Sequence, residues 1–421
     1  MLRRIVLFLV LAVVGLAPAA SARGGDPGGV DVIIVSGSLE GRLIDFVIGE
    51  IESSDAQVVV LQIDSAATLG GDIERLLTLV ADPPVPVAVW AGPDPAILGG
   101  GALRLLAAAP IRGAAPGVEL GPASPTRAGG ADDSADVAAA HPDLPAGTIS
   151  GRVVVENDMD GFLDLVEPSI GQFVVGLDGR EATIGETKVV LVTARTEVVG
   201  GIVAVKPAVE VTFIEPGIID RTIRLGAGPE AAFFFLVAGL SLVVFEFYAA
   251  GPGVAAAVAV VALLVGGYGL AVLPVRWWAV ALVPVGLAFY TIDFQRNDLG
   301  WRSILGTVSL TVGGLFFVDA APQIVVSWWI VALIVFGTAL WFGFALTTIV
   351  RARFSTQTIG RDHLVGRTGR AESPIEPDGT VVVDGARWRA RASRVSGIRQ
   401  GDVVDVVAVD GVVLVVNPVD D

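Results

Sequence analysis

The chain contains no cysteine among its 421 residues. Disulfides, thiolate zinc sites and cysteine nucleophiles are therefore excluded. It has two histidines, His141 and His363, which argues against a histidine metal site or a Ser-His-Asp triad within one domain. Lysine is as scarce, with Lys188 and Lys206 the whole supply. Charged residues make up 17% of the chain and hydrophobic ones 53%, and mean hydropathy is +0.71, outside the soluble globular average. The formal charge of −16 would repel a polyanion, so the chain as a whole is not expected to bind nucleic acid. No metal or cofactor is expected. The length suggests two or three domains.

What is abundant is apolar sequence between 231 and 350. Five runs, 231–250, 253–273, 277–292, 304–318 and 325–350, are almost free of charge. A bilayer core about 30 Å thick takes about 20 helical residues, and each backbone polar group inside it must pair within its own segment. Residues 229–350 are thus expected to form about five transmembrane helices. The third and fourth runs are shorter, so buried or re-entrant helices stay open there. The start, Arg3-Arg4 followed by the apolar run 5–16 and Ala20-Ser21-Ala22, has the layout of a signal peptide over 1–22, with an uncleaved anchor as the alternative. Residues 23–228 would then be extracytoplasmic. Five crossings put Arg296, Arg302, Arg351, Arg353 and the tail 351–421 in the cytoplasm, as the positive-inside bias requires, with Arg276 the one misfit.

Within 23–228, apolar β-branched runs at 30–35, 57–63 and 85–90 alternate with helical spacing at 39–53, 71–80 and 96–109. That alternation predicts right-handed βαβ units on a mostly parallel sheet, with any site beyond the strands' carboxyl ends, at turns 64–71 and 91–101. The stretch 131–160 carries Asp132, Asp133, Asp136, Asp143, Glu156, Asp158 and Asp160 without the spacing of a calcium loop, and is expected to be a loose, solvated linker within 126–160.

The order Val85-Pro86-Val87, Gly92-Pro93, helix 102–109, Ala115-Pro116-Gly117, Gly121-Pro122-Ala123-Ser124-Pro125, then 161–181 ending in Leu177-Asp178-Gly179-Arg180, resembles the NfeD family. These are membrane-bound, ClpP-class serine proteases. The resemblance implies an outer α/β domain of ClpP-like, crotonase fold, a helical membrane block and a small soluble domain, and covers most of the chain. It also implies a partner, a stomatin- or flotillin-like (SPFH) membrane protein.

The family's catalytic pattern does not carry over. Its nucleophile, in an S-A-G-T turn sixteen residues before the proline of A-P-G, falls on Gly100 when counted back from Pro116. Its D-T-P-G-G oxyanion turn reads Asp64-Ser65-Ala66-Ala67-Thr68, so Ala67 and Thr68 replace both glycines. Its general-base lysine belongs after Pro125, where 126–161 holds no lysine. Losing the serine alone costs about a million-fold in the best-studied serine protease, and one oxyanion donor about 10²–10³. Ser65 and Ser124 remain weak substitute nucleophiles, with Asp64 or His141 as base.

Glu246 stands inside an otherwise apolar run, which suggests either an ion path or a helix contact; the resemblance favours the contact, because the family has a comparable Glu shortly before a Pro-Gly turn, here Gly251-Pro252-Gly253. In the tail, strand-like runs at 364–372, 380–383, 386–392, 403–407 and 412–416, divided by Pro377-Asp378-Gly379, Asp384-Gly385 and Asp410-Gly411, predict a small barrel of the OB type over 356–421. Arg387, Arg389 and Arg391 share one strand face with Trp388 opposite, but the exposed stacking aromatics of single-strand binders are missing. Gly366-Arg367-Thr368-Gly369 and the strand from Asp384 to Ala390 resemble the NfeD soluble domain.

The sequence thus predicts a non-catalytic membrane scaffold or partner-binding protein, a pseudoenzyme of the NfeD type in a bilayer, with a homo-oligomer left open. The alternative is an active serine peptidase on a rearranged site. A transporter built on Glu246 comes third.

Overall fold

The computed structural model describes residues 28–184, 187–199, 202–249, 253–296, 300–319, 323–346, 348, 361–393 and 397–419. The expected signal segment 1–22 lies outside them. The chain separates into two compact units, Met1–Thr348 and Ile349–Asp421.

The first unit opens with β1 (Val30–Ser36), α1 (Gly41–Ser53), β2 (Val58–Asp64), α2 (Ile73–Ala81) and β3 (Val87–Ala91). Short β4 (Ile97–Leu98) precedes α3 (Gly101–Ala108), followed by β5 (Ile111–Ala114) and β6 (Glu119–Leu120). The expected helix over 96–109 thus begins only at Gly101, because Ile97 and Leu98 pair with β6 instead. Next come α4 (Ser134–Ala140), β7 (Val153–Val154), β8 (Leu165–Val166) and α5 (Ile170–Gly176). Two hairpins, β9 (Glu181–Ile184) with β10 (Thr187–Val190) and β11 (Ala194–Val199) with β12 (Ile202–Pro207), lead to β13 (Val211–Ile214) and α6 (Ile218–Arg224).

Strands β13-β1-β2-β3-β5-β8 form an all-parallel sheet. The central strands read as continuous apolar runs because both faces are covered: Val58, Val59, Val60 and Leu61 are all fully buried. Leu43, Ile44, Val47 and Ile51 of α1 and Ile73, Leu76 and Val80 of α2 join the same core, at the 3–4-residue spacing that aligns one helix face.

The stretch 126–160 is not a loose linker. Val137 of α4 is buried, β7 pairs with β6, and the acids act as local acceptors: Asp133 takes the Thr126 amide on both oxygens at 3.1 and 3.0 Å, and Asp132 takes the Ser134 amide at 3.0 Å. Asp and Ser spend their side chains on nearby backbone here, which a charge tally reads as solvation.

Five membrane-block helices are described: α7 (Pro229–Ala249), α8 (Val254–Val272), α9 (Trp277–Arg296), α10 (Trp301–Leu315) and α11 (Trp328–Leu340), the last continuing as a π-helical turn through Ala345. Among the described residues four are long and apolar enough to cross a bilayer, Pro229–Tyr248, Val254–Val272, Trp277–Arg296 and Trp328–Ala345. Helix α10 rises only about 22 Å, short of a full span. It nevertheless runs back toward the outer domain: Arg276 N, before α9, donates to Phe317 O at 3.0 Å, and Ser327 N, before α11, donates to Glu230 Oε1 of α7 at 2.8 Å. The opposite ends meet where Tyr248 and Phe294 pack edge to face with centroids 5.1 Å apart.

In the second unit, a turn at Arg361–Leu364 leads into a closed barrel of β14 (Thr368–Ala371), β15 (Asp378–Val383), β16 (Ala386–Ala392), β17 (Val403–Asp410) and β18 (Val413–Pro418), in the order β14-β15-β16-β18-β17. Strands β16 and β18 pair in parallel and the other neighbours are antiparallel. Val381, Val383, Ala390, Val404, Val406, Leu414 and Val416 alternate inward to make its core, with Trp388 half-buried against it.

Candidate functional site: a filled cleft beyond the sheet

Gly100 caps α3, at the turn leading out of β4, with φ +52° and ψ −128°. A side chain is strained at that φ, which glycine adopts freely. The space is also taken. A Cβ on Gly100 would lie 2.6 Å from Thr126 O and 2.9 Å from Gln323 Nε2. Gln323 belongs to the connection between α10 and α11, is 6% exposed, and donates through Nε2 to Pro125 O. Its Oε1 and Thr126 Oγ1 are buried with no protein partner. The position where a nucleophile was sought is thus closed from two sides, by the stretch after Pro125 and by the membrane block.

The backbone amides nearby are engaged. Gly100 N donates to Pro122 O at 2.8 Å, and Gly101 N is shared between Thr126 O at 3.1 Å and Thr68 Oγ1 at 3.0 Å. Thr68, in place of a glycine, is fully buried and uses its hydroxyl to take an amide at the start of α3. Ala67 is 3% exposed, and its carbonyl accepts from Leu39 N at 2.8 Å and from Ser65 Oγ at 3.3 Å.

The substitute nucleophiles differ in what surrounds them. Ser65 is 1% exposed and its hydroxyl donates to Ala67 O. Asp64 Oδ1 accepts from Ile97 N at 3.1 Å, which makes it a turn-fixing acceptor. Ser124 Oγ lies 3.0 Å from Asp132 Oδ1. Bonds from Ser134 and Ser124 hold Asp132 below the usual carboxylate range, so it binds protons weakly. Burial alone would raise Asp133, but its bonds from Thr126 and Ser124 outweigh that and lower it too. His141 Nε2 faces Arg104 Nε at 3.5 Å, and burial, then the Arg104 charge, push its pKa down. Among the described residues no hydrogen bond joins His141 to either serine. Lys188 pairs with Glu181 at 2.9 Å on the exposed β9–β10 hairpin.

Beside this cleft, a polar cavity of about 260 Å³ is lined by Glu74, Arg104, Thr126, Arg127 and Asp133 among others. Its charges are matched: Arg104 forks onto Glu74 at 2.8 and 3.3 Å, and Arg127 donates to Gly71 O at 3.0 Å. Among the described residues no cluster of three His, Asp or Glu side chains is arranged to hold a metal.

Three features were not anticipated from sequence. Glu40, fully buried, accepts the Arg42 and Leu43 amides at the start of α1 and the Arg224 guanidinium at 2.8 Å, and binds the Tyr268 hydroxyl of α8. It ties the outer domain to the membrane block. Gln323 has no sequence signal at all. Asp293, 2% exposed in the last turn of α9, accepts Gly300 N at 3.0 Å, Ser303 N at 2.8 Å and Ser303 Oγ at 2.8 Å. Glu246 is therefore not the sole carboxylate within the block, and of the two only Asp293 is buried. Its own Oε1 accepts Gly253 N at 2.9 Å, the turn contact favoured above. In the barrel, Arg391 bonds Asp378 at 2.7 Å and Arg387 bonds Glu372, which neutralises two of the three strand-face arginines.

Comparison with known proteins places these features. Residues 361–418 match the NfeD-like C-terminal, partner-binding domain, and residues 230–347 match the NfeD integral membrane domain. Over 215 residues the chain is 23% identical to the membrane-bound protease PH1510 of Pyrococcus horikoshii, covering 49% of this chain and 49% of that protein. The chain thus spans about half the length of the curated relative it matches. Among solved structures, the C-terminal domain of stomatin operon partner protein 1510-C from Pyrococcus horikoshii is 30% identical, covering 15% of this chain and 98% of that one, with a TM-score of 0.15. The 1510-N membrane protease specific for a stomatin homolog, from the same organism, is 16% identical, covering 47% and 98%, with a TM-score of 0.35. The chain thus carries an NfeD integral membrane domain followed by an NfeD-like C-terminal, partner-binding domain, and is similar over about half its length to a membrane-bound protease.

Proposed function

We propose that this protein is a non-catalytic membrane scaffold that binds a stomatin- or flotillin-like partner. The observation that carries the reading is Gly100: a positive φ that would strain a side chain, with the side-chain space filled by Thr126 O and Gln323 Nε2. An acyl-transfer site needs a nucleophile within hydrogen-bond reach of a base and free donors for the oxyanion. Here the amides of Gly100 and Gly101 are already bonded. The partner class rests on the matched partner-binding domain and on the stomatin association stated for its relatives.

The barrel's strand order, with β16 parallel to β18, supports the OB type for the tail. We place residues 23–228 outside the cytoplasm and 351–421 inside it, behind a signal at 1–22. Arg302 at the start of α10, on the side away from the outer domain, supports that orientation. Lipid surrounds the block, and a homo-oligomer is one form such a scaffold can take.

The second reading, a peptidase on a rearranged site, rests on the Ser124–Asp132 contact. One experiment separates them. Full-length protein in membranes is treated with a fluorophosphonate and tested for retention of a co-expressed stomatin-like protein, with and without residues 351–421. The scaffold reading expects no labelling and retention that needs the tail. A serine adduct abolished by Ser124→Ala or Ser65→Ala would establish the peptidase, and no retention by either form would remove the scaffold.

A further inference from the structure

The membrane block repeats itself. Moving 47 residues along the chain takes Gly239 to Gly286, Phe247 to Phe294, Gly253 to Gly300, Leu263 to Leu310 and the pair Gly266-Gly267 to Gly313-Gly314. Glu246 becomes Asp293 in the same shift. The equivalent residues do equivalent things. Each carboxylate accepts the amide of the glycine seven positions later, Glu246 from Gly253 at 2.9 Å and Asp293 from Gly300 at 3.0 Å. A Cβ on Gly239 would meet Leu263 Cγ at 2.8 Å, and one on Gly286 would meet Leu310 Cγ at 2.9 Å. Hairpins α7–α8 and α9–α10 are two copies of one unit, in which a descending helix offers a glycine notch and the returning helix fills it with leucine.

Helix α11 begins a third copy. Moving 51 residues takes Trp277-Trp278 to Trp328-Trp329, Ala281-Leu282 to Ala332-Leu333, Gly286 to Gly337 and Tyr290 to Trp341. No returning helix follows α11 among the described residues, and Phe344 stands where the turn-capping carboxylate would be. The vacancy is visible at both diagnostic positions. Nothing lies within 4 Å of a Cβ placed on Gly337. Tyr290 shares a hydrogen bond with Thr307 of its returning helix, whereas the Trp341 indole nitrogen is buried with no partner. In the first hairpin both positions of that polar pair are valine, Val243 and Val260. Gly337 and Trp341 line an apolar groove of about 630 Å³ between α7 and α11, with Ala238 and Leu242 on its other wall.

We infer that this groove receives a membrane helix from a partner protein, running antiparallel to α11, with a leucine for Gly337 and a hydroxyl or other acceptor one turn before it for Trp341. The i, i+3 spacing is that of Thr307 and Leu310 on α10. Close approach at small residues and a hydrogen bond between helices are the interactions that hold helices together in lipid. An acyl chain could fill the notch but has no acceptor for the indole N–H. The inference does not depend on whether the outer domain cuts peptides.

The absence of cysteine makes the test clean. Full-length Gly337→Cys in vesicles is mixed with a synthetic peptide of residues 301–315 carrying Leu310→Cys, then mildly oxidised. Disulfide yield should exceed by at least tenfold that of Val258→Cys, which is exposed on α8. Gly337→Leu, which has room for its side chain, should weaken binding of a dye-labelled copy of the wild-type peptide at least tenfold without lowering the melting temperature. Removing the peptide's acceptor, Thr307→Val, should weaken it too. Equal yields at the two cysteines would mean that lipid alone occupies the groove. A 337–337 homodimer that forms without peptide and is not displaced by it would assign the groove to a second copy. Either result overturns the inference.

Discussion

Gln323 and Gly100 lie in contact although the first belongs to the membrane block and the second to the outer domain: the Gln323 amide nitrogen is 2.9 Å from where a Cβ on Gly100 would be. The carboxamide also bonds Pro125 O, so the stretch after Pro125 and the start of α3 are held together over the place where a nucleophile was sought. On the scaffold reading, restoring one hydroxyl there should not restore chemistry, because the side-chain space is filled and the Gly100 and Gly101 amides are bonded.

Gly100→Ser should accordingly fail to react with a fluorophosphonate. It should also destabilise the protein by roughly 1–3 kcal/mol, through overpacking against Thr126 and Gln323. Gly100→Ser with Gln323→Ala relieves the crowding and should recover part of that loss, still without labelling. Mass spectrometry of the treated double variant checks this; an adduct on residue 100 would contradict it.

Glu40 should matter more to stability than its place at a helix start suggests. Removing one partner of a buried, bonded ion pair costs about 3–5 kcal/mol, and although Arg224 keeps 11% of its side chain exposed, the Glu40 carboxylate is fully buried, so Glu40→Ala should lower the denaturation midpoint sharply. Tyr268→Phe removes a single hydrogen bond to the same carboxylate and should cost only about 1 kcal/mol. Denaturant titration of the two variants in the same micelle distinguishes them, and equal effects would refute the ranking.

The carboxylates Asp293 and Glu246 of the membrane block should behave as turn contacts. Asp293→Ala leaves the Gly300 and Ser303 amides without their acceptor and should cost roughly 1–3 kcal/mol. Glu246→Gln keeps an acceptor oxygen for Gly253 and should be close to neutral. Neither should change ion flux in vesicles; a fall in flux with Glu246→Gln would revive transport.

His141 should make the outer domain sensitive to acid. Its folded pKa lies below the ordinary value of 6.5, because burial and then Arg104 oppose its charge. The unfolded chain therefore binds more protons just below pH 6.5, and stability should fall as pH drops through that window. His141→Gln should flatten this part of the curve of melting temperature against pH. An unchanged slope would show that other groups set it.

Periodicity and composition were enough to read the architecture. Continuous β-branched runs such as 58–61 have to be buried on both faces, which makes a parallel sheet. Apolar runs near 20 residues have to be helices in lipid, because the backbone has no other partner there. The barrel followed from alternation and three Asp-Gly turns. The acidic stretch 126–160 was misjudged because a charge count cannot tell a solvated carboxylate from one that takes an amide, as Asp133 does from Thr126.

The kind of element each segment must form follows from local side-chain character and could be read from the chain alone. Which distant groups meet came from the fold: Gln323 against Gly100, Tyr268 on Glu40, and the open notch at Gly337. The two pairings span 223 and 228 residues, the notch is open among the described residues, and nothing in a single strand of letters encodes distance across a fold.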